Sequence, residues 1–501
     1  MALQHEFYKF FWKDLQFFLL KSYQETYECG CFSVSQRRGI ITCIPKEGKS
    51  KFYIKNWRPI TLLNCDIKIA SAALANRIKP ILQDLISDTQ KGFLKGRYIG
   101  ECTRTILDIL HRAEEEDIPG LLLLLDFEKA FDTVEWSFIQ KTLQFFNFGD
   151  SFCHWVKTLY FDISSCVSNN GHCSDFFKLE RGVRQGDPLS PYLFILVIEL
   201  LSARIKLDPN INGIKFDNSE YLISQYADDS SLILDDSVQS LDQTLFLLDS
   251  FAECAGLRAN LEKTQAIWIG ARRGCGQVLL PDKPLLWNHA AKFKLLGISY
   301  NLAEEDITIG NFREKIENVK KLLNTWLYRD LTYIGKIVVI KTLALPVLIQ
   351  ILTVLPRPPV EIFKELESIF FQFVWGGKTD KIRRRVIYNQ YEKGGLKMPH
   401  MDSFCSALKM TWIHKLLDPE NHSQWKLILI DFIEKHGGDK FFSLPKFGIE
   451  NIAKKLNSFW KDIFFTWANV RGDIQVEDYT DVLRQPLWLN PMIKVNQKLV
   501  F

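Results

Sequence analysis

Three aspartates occupy positions where a carboxylate is costly to place. Asp126 ends the apolar run of residues 121–125, and Asp228 and Asp229 lie between two apolar stretches within residues 221–234. A buried carboxylate needs compensation, and a divalent cation such as Mg²⁺ supplies it because Mg²⁺ prefers oxygen ligands. Two such ions can stabilise the attacking and leaving oxygens of a phosphoryl transfer. The pattern predicts a site of this kind if both stretches are strands of one sheet; solvated strand ends are the alternative for each motif alone.

A glycine-containing loop lies between these acids in the sequence. Residues 181–191 read RGVRQGDPLSP, in which glycine permits close approach of the backbone to a ligand and Gln185 supplies an amide. Ser190 and Pro191 predict an N-cap and first turn of a buried helix that runs to Leu201. Free N–H groups at a helix start attract anions. The loop is a candidate substrate contact, with an ordinary helix-entry loop as the alternative.

The neighbouring segments predict a chain that mixes strands and helices. Residues 121–125 predict a strand buried on both faces, and residues 221–234 predict a hairpin of two short strands with acids at its tip. Apolar residues at helical spacing predict a helix over residues 67–85 whose core-facing stripe ends in Ile81. Residues 316–326 predict an amphipathic helix, and the last hundred residues are predicted to be helical.

The composition indicates a large globular protein. The chain has 501 residues, of which 47% are hydrophobic and 24% charged, and this balance excludes a disordered scaffold. Its net charge of +4 means that affinity for a polyanion must come from local basic clusters. Two clusters meet this description. Residues 36–58 predict a cationic hairpin, and residues 378–397 form a second cluster for which a solvated face is the alternative.

The sequence predicts no membrane span and no targeting segment. Charged residues interrupt the apolar residues of the first 25 positions, and other apolar runs, such as residues 343–355, are too short or interrupted to cross a bilayer. The 11 cysteines are scattered and favour reduced, mostly buried thiols. We therefore expect an intracellular protein of the nucleus or cytoplasm.

In their order along the chain, these motifs resemble those of reverse transcriptases, and among them the enzymes of LINE-type (non-LTR) retrotransposons. The resemblance is carried by LDFEKAFD at residues 125–132, by residues 181–191 and by YADD at residues 226–229. Flanking stretches agree in the same order: YIKNWRPI at residues 53–60, QKGF at residues 90–93, LLG at residues 295–297 and EKGGL at residues 392–396. The resemblance covers nearly the whole chain.

This resemblance implies an α+β fold, the right-hand polymerase with fingers, palm and thumb, in which an antiparallel palm sheet carries the catalytic acids. Residues 1–115 would form an N-terminal extension and the fingers, and residues 116–300 the palm with interleaved fingers elements. Residues 301–400 would form the thumb and a basic segment. Residues 401–501 would be a helical C-terminal region of unknown role.

The resemblance also implies a catalytic and metal-binding set. Asp126 and Asp228 match the metal-binding acids, and the carbonyl of Phe127 is a further ligand. Asp229 completes the catalytic triad in a more electrostatic role. Lys263 matches a lysine proposed as general acid to the pyrophosphate leaving group, although a solvated lysine is an equal alternative at this position.

Substrate-binding residues follow from the same comparison of motifs. Phe131 matches the aromatic residue beneath the sugar, where a ring would exclude a ribose 2′-hydroxyl. Gln185 is expected to contact the incoming nucleotide, and Arg58 to hold its triphosphate with Lys46 as a second cation. A solvated lysine is the alternative for Lys46. In the second basic cluster, Arg383, Arg384 and Arg385 are expected to bind the phosphates of nucleic acid.

The implied activity is that of an RNA-directed DNA polymerase, a nucleotidyltransferase. It would extend the 3′-hydroxyl of a DNA primer with dNTPs on an RNA template, using two Mg²⁺ ions or Mn²⁺ in their place. The expected partners are the RNA template, the primer, the dNTPs and the element's own RNA, without a membrane.

Three alternatives compete with this interpretation. The first is a catalytically silent or truncated retroelement remnant that only binds nucleic acid. The others are an RNA-dependent RNA polymerase, against which Phe131 and the YADD sequence argue, and a group II intron maturase, which the segment of residues 375–396 fits less well. LINE-type proteins usually carry an endonuclease domain before the polymerase, and many carry a zinc knuckle after it. Neither pattern is found, so we expect the chain to be part of such an element.

Overall fold

The computed structural model describes residues 5–46, 48–217, 219–276, 284–289, 292–301, 304–471, 494–495 and 498–499. The helices are α1 His5–Phe10, α2 Trp12–Cys29, α3 Val34–Arg37, α4 Cys65–Ile78, α5 Leu82–Leu85, α6 Ile99–Glu115, α7 Ala130–Thr133, α8 Trp136–Phe145, α9 Asp150–Tyr160, α10 Ser190–Leu207, α11 Val238–Ala255, α12 Glu304–Leu327, α13 Tyr333–Val339, α14 Leu345–Val354, α15 Val360–Trp375, α16 Arg384–Ile387, α17 Met401–Leu417, α18 Gln424–Lys435, α19 Lys446–Ala453 and α20 Ser458–Arg471. The strands are β1 Arg38–Pro45, β2 Trp57–Leu62, β3 Gly120–Leu125, β4 Ser164–Asn169, β5 His172–Cys173, β6 Phe177–Lys178, β7 Ile214–Phe216, β8 Ser219–Tyr221, β9 Ile223–Tyr226, β10 Asp229–Leu234, β11 Gln265–Ile269, β12 Leu286–Trp287, β13 Phe293–Leu295, β14 Ile298–Tyr300, β15 Lys494–Val495 and β16 Lys498–Leu499.

These elements confirm the mixed α and β character and divide into two compact units. The first unit comprises residues 1–99 and 116–289, and the second comprises residues 100–115 and 290–501. Residues 100–115 therefore group with residues 290–501 and not with the chain on either side of them. The finer boundaries between fingers, palm and thumb stay a prediction. Residues 472–493 of the predicted C-terminal region lie outside the described residues.

Two sheets of five strands organise the first unit. In one, β1 pairs antiparallel with β2 and parallel with β4, and the hairpin of β1 and β2 confirms the predicted cationic hairpin. The other has the strand order β12-β11-β3-β10-β9, antiparallel except for the pair of β11 and β12. We call this second sheet the palm sheet. All six residues of β3 are buried, as expected for a strand covered on both faces.

The helix predicted over residues 67–85 is interrupted in the structure. Helix α4 ends at Ile78, and α5 begins only at Leu82, because Pro80 cannot continue the backbone hydrogen bonding of a helix. The break shifts the buried position from residue 81 to residue 82. Leu82 is therefore fully buried, whereas Ile81 is 44% exposed, and the prediction that Ile81 faces the core is wrong.

Helix α10 extends beyond its predicted end, and its cap differs from the predicted one. Ser190 lies within the helix, and the acceptor at its start is the buried carboxylate of Asp187. Its Oδ2 accepts hydrogen bonds from the backbone N–H of Leu189 at 3.2 Å and of Ser190 at 3.1 Å. A carboxylate satisfies these N–H groups and also interacts favourably with the positive end of the helix dipole.

In the second unit, α6 packs by polar contacts with the C-terminal helices. The carboxylate of Asp108, which is 2% exposed, accepts hydrogen bonds from Arg104 at 2.7 Å, Asn457 at 2.9 Å and the indole of Trp460 at 3.0 Å. Glu101 accepts a hydrogen bond from Ser423 at 2.7 Å and forms an ion pair with Lys415. Helices α17 and α20, and the residues directly before α18 and α20, thus supply the partners that a buried carboxylate requires.

One apolar helical stretch is long enough to span a membrane. Within the described residues, Tyr333–Val354 is the only stretch that meets this criterion, with 22 residues and a mean hydropathy of 2.3. It comprises α13, a π-helical turn at Ile340–Ala344 and α14, and is therefore longer than the apolar run of residues 343–355. Inside the protein, 56% of it is buried, and buried core helices pass the same test.

Candidate active site

The palm sheet brings the three predicted acids to one edge. Leu125 at the end of β3 pairs with Ser230 in the antiparallel strand β10. Asp126 follows β3 directly and Asp229 is the first residue of β10, so this register places the two residues side by side. Asp229 also pairs with Tyr226, so that Ala227 and Asp228 form the two-residue turn of the predicted hairpin. The condition set by the sequence, that both stretches share one sheet, is confirmed.

The carboxylates at this edge repel one another, and the pKa values of two of them are raised. Partial desolvation by the surrounding atoms, followed by repulsion from Asp228 and then Asp126, raises the pKa of Asp229 to about 6, even though the residue is exposed at the surface. Burial and repulsion from Asp126 also raise the pKa of Asp228. Close carboxylates raise each other's pKa in this way because the ionised forms repel. A bound cation would reverse that effect.

The protein oxygens at this edge could bind a metal ion whose remaining ligands are substrate oxygens. In the described part of the chain, no three side chains of His, Cys, Asp or Glu are grouped closely enough to hold a metal ion by themselves. Mg²⁺ sites that act on phosphates commonly use one or two carboxylates and complete the coordination with substrate oxygens. Two aspartates and one backbone carbonyl, as predicted for Asp126, Asp228 and Phe127, meet that requirement.

Lys263 lies beside the first of these acids. Its Nζ is 3.5 Å from Oδ2 of Asp126, and both side chains are partly open to solvent. The segment before β11 holds them together, because the N–H of Asn260 donates to the carbonyl of Asp126 at 2.6 Å. Phe127 forms an antiparallel bridge with Ala259 in the same segment. The structure therefore places Lys263 and Phe127 next to Asp126, and their chemical roles stay predictions.

Phe131 lies in a group of aromatic rings in the first unit. Its ring stacks on that of Phe194 in α10, with 4.3 Å between centroids and 23° between planes, and meets Phe93 edge-on at 6.3 Å. The backbone carbonyl of Phe131 accepts a hydrogen bond from the N–H of Val183 at 2.7 Å. These contacts fix the ring, as a steric gate requires, while it remains partly exposed.

The amide of Gln185 is held by Asp132, a residue to which the sequence analysis gave no role. Nε2 of Gln185 donates to Oδ1 of Asp132 at 3.2 Å, and burial raises the pKa of Asp132 despite this hydrogen bond. Gly182 has a φ of +86°, and a Cβ there would lie 2.5 Å from the carbonyl oxygen of Asp132. The sequence signal was the glycine itself, which allows this close approach.

The two predicted triphosphate contacts lie on the hairpin of β1 and β2. Arg58 is exposed in β2 opposite Ile44, and Nζ of Lys46 donates to the carbonyl of Lys55 at 3.3 Å. Within the described residues, neither makes a hydrogen bond or ion pair with the three aspartates. The strand nevertheless reaches the substrate loop, because the N–H of Thr61 donates to the carbonyl of Gln185 at 2.9 Å.

The three arginines of the second basic cluster differ in their surroundings. Arg384 donates to Asp380 at 2.8 Å, and its guanidinium lies 4.6 Å from the ring centroid of Phe371. Arg383 and Arg385 are exposed. Arg384 therefore has partners within the second unit, whereas Arg383 and Arg385 present their charges to solvent.

Comparisons with known proteins agree with this geometry. Residues 44–300 match the family model "Reverse transcriptase (RNA-dependent DNA polymerase)". The 149 kDa protein of transposon TX1 from Xenopus laevis is 29% identical over 98% of this chain and 38% of its own length. The Pol polyprotein of the R2 element from Popillia japonica is 29% identical over 49% of this chain and 34% of its own length. The RNA-directed DNA polymerase of the jockey element from Drosophila melanogaster is 24% identical over 62% of this chain and 33% of its own length.

Among solved structures, a telomerase from Candida albicans aligns over 91% of this chain and 68% of its own, with 14% identity and a TM-score of 0.43. The chain spans between a third and two fifths of the length of the curated relatives described above.

Proposed function

Because the chain belongs to the reverse transcriptase family, and within it to the LINE-type (non-LTR) retrotransposon enzymes, we propose that it extends a primer 3′-hydroxyl with dNTPs on an RNA template. Membership of the family also confirms the predicted α+β right-hand polymerase fold. One observation carries the proposed activity. Asp126, Asp228 and Asp229 meet at one edge of the palm sheet, within the part of the chain that the family model matches.

The family uses divalent metal ions, and we propose Mg²⁺ here, with Mn²⁺ as a substitute. The carboxylates of Asp126 and Asp228, with the carbonyl of Phe127, would hold it. Bound there, the metal would lower the pKa of the primer hydroxyl and neutralise charge on the reacting phosphate. The raised pKa values of Asp228 and Asp229 support a cation at this edge, because a cation favours the ionised carboxylates.

Five further residues of the first unit would position the substrates or assist the reaction. The ring of Phe131, fixed against Phe194, would exclude a ribose 2′-hydroxyl. Gln185 would contact the incoming nucleotide through the amide that Asp132 orients. Arg58 would bind the triphosphate, with Lys46 as a second cation. Lys263, an ammonium group beside the acids, would donate a proton to the departing pyrophosphate.

Basic clusters supply affinity for the template and primer without reading their sequence. Lysine and arginine side chains bind phosphates by neutralising charge and releasing counterions. Exposed Phe52 and Tyr53, which are 98% and 60% exposed, stand among the lysines of the β1–β2 hairpin and can stack on bases. Arg383 and Arg385 would provide a second phosphate-binding surface, and Arg384 between them in sequence is held by Asp380 and Phe371. We also propose that the protein acts inside the cell, in the nucleus or cytoplasm, with the element's own RNA as template.

Primer extension tests this proposal. The full chain is incubated with a DNA primer annealed to RNA, dNTPs and Mg²⁺, and is compared with Asp228→Ala and with Asp175→Asn, which changes an exposed aspartate outside the palm sheet. We expect extension by the wild type and by Asp175→Asn, and none by Asp228→Ala. Binding of the primer–template without extension by the wild type would instead identify a remnant that only binds nucleic acid.

A further inference from the structure

The turn that carries Asp228 has a backbone that needs support. Ala227, its first residue, has a φ of +55°, in the left-handed region that is unfavourable for any residue with a Cβ. Glycine or asparagine is the usual choice at such a position. Some other group must therefore hold Ala227 in this conformation. Asp228 follows directly, so the direction of its side chain depends on the backbone of Ala227.

The side chain of Gln90 holds both backbone polar groups of Ala227. Its Oε1 accepts a hydrogen bond from the N–H of Ala227 at 2.8 Å, and its Nε2 donates to the carbonyl of Ala227 at 3.3 Å. The same Oε1 accepts from the N–H of Gly92 at 2.8 Å. Gln90 is 0% exposed, so water cannot replace these hydrogen bonds.

The segment around Gln90 lies against the hairpin like a short additional strand. Gln90 and Gln225 form a parallel bridge, in which the N–H of Lys91 donates to the carbonyl of Gln225 at 2.9 Å and the N–H of Gln225 donates to the carbonyl of Thr89 at 2.8 Å. A Cβ at Gly92 would lie 2.5 Å from the backbone nitrogen of Ala227. Only glycine allows the segment to approach the turn this closely.

We propose that Gln90 is a positioning residue that fixes the Ala227–Asp228 turn in the conformation needed for catalysis, and that Gly92 provides the space for this contact. This inference rests on the proposed polymerase function. Because Gln90 is fully buried, it would act through the direction of the Asp228 carboxylate and not by contact with substrate. A displacement of about 1 Å in a catalytic group can lower a rate by about 10²-fold.

Gln90→Met tests this role, because methionine has a similar size and no amide. We expect kcat for nucleotide incorporation to fall by about 10- to 100-fold, with KM for dNTP within about threefold of wild type. Gly92→Ala should lower kcat in the same way, since its Cβ displaces the turn. Amide hydrogen exchange of the peptide spanning residues 223–232 should become faster in Gln90→Met, which reports on the turn independently of activity.

Gln36→Met is the matched control. Gln36 is also buried, and its amide makes hydrogen bonds with Ser33 and with Asp66 at 2.8 Å, away from the palm sheet. Gly149→Ala is the matched control for Gly92→Ala, because nothing lies within 4 Å of a Cβ placed at Gly149. We expect both controls to retain kcat and the exchange rate of residues 223–232.

Two outcomes separate failure of this inference from failure of the proposed function. If the wild type extends the primer and Gln90→Met matches Gln36→Met in kcat and in exchange, the positioning role is wrong. If the wild type does not extend the primer while exchange at residues 223–232 still rises in Gln90→Met, the contact is real and the polymerase function is wrong.

Discussion

The carboxylate of Asp132 accepts a hydrogen bond from the amide of Gln185 at 3.2 Å. The two residues belong to different motifs, and Asp132 follows the candidate sugar gate Phe131 directly. The pair therefore fixes the orientation of a candidate nucleotide contact relative to a candidate steric gate. A lone glutamine would be free to rotate and would lose conformational entropy each time it bound a nucleotide.

Removal of this hydrogen bond should weaken nucleotide binding. Asp132→Ala leaves the Gln185 amide without its acceptor, and we expect KM for dNTP to rise about fivefold to tenfold, as for one lost hydrogen bond. Asp132→Asn keeps an acceptor oxygen at the same place and should stay within about twofold of wild type. Steady-state kinetics at varied dNTP concentration measure both. Equal KM values for Asp132→Ala and wild type would contradict the positioning of Gln185.

Removal of the Phe131 ring should relax the choice of sugar. Phe131→Ala opens the space beneath the sugar, and we expect the preference for dNTP over rNTP, as a ratio of kcat/KM, to fall about 10²-fold. Phe138→Ala is the control, because Phe138 packs edge-on against Phe251 at 5.4 Å and carries no predicted substrate contact. Unchanged sugar discrimination in Phe131→Ala would show that Phe131 is not the steric gate.

The raised pKa of Asp229 predicts a pH-dependent stability in the absence of metal. Its folded-state pKa of about 6 exceeds the ordinary value of 3.8, so the native state binds this proton more tightly than the unfolded state. The associated stability is complete below about pH 4 and is lost as the pH rises through 6. As the pH rises from 4 to 7, the free energy of unfolding of Asp229→Asn should therefore come to exceed that of wild type by up to about 1 kcal/mol. This figure is reduced for solvent screening.

Urea unfolding at several pH values, with EDTA present, measures this difference. Excess Mg²⁺ should reduce the advantage of Asp229→Asn, because a bound cation stabilises the ionised wild type. A difference in the free energy of unfolding that does not change with pH would contradict the assigned pKa shift.

In the second unit, the indole of Trp460 helps to satisfy a buried carboxylate. Trp460→Phe removes the hydrogen bond to Asp108, and we expect the free energy of unfolding to fall by about 1–3 kcal/mol. Trp326→Phe changes a partly exposed tryptophan whose ring lies 4.4 Å from the guanidinium of Arg329, and it should cost less than about 1 kcal/mol. Equal effects of the two changes would show that the contact with α6 contributes nothing specific.

Local patterns predicted the elements that carry the acids, because strand burial and hairpin chemistry depend on nearby residues. The all-leucine strand before Asp126 and the hairpin around Asp228 are both present. Contacts between distant segments were not predicted. Nothing in the sequence shows that Asp132 reaches Gln185, or that Gln90 reaches Ala227, since tertiary packing decides which side chains meet. Pro80 is the one local signal for the interruption between α4 and α5, because proline cannot continue the hydrogen bonding of a helix.

The central claim is that Asp126 and Asp228 are the catalytic acids of a polymerase. Its most direct test is the single-turnover rate of dNTP incorporation on an RNA template with saturating Mg²⁺, for wild type, Asp126→Asn, Asp228→Asn and the control Asp175→Asn. Asparagine keeps the size of each side chain and removes its charge. We predict that both palm variants lose on the order of 10³-fold in rate while Asp175→Asn keeps the wild-type rate. A wild-type rate in either palm variant would contradict the account.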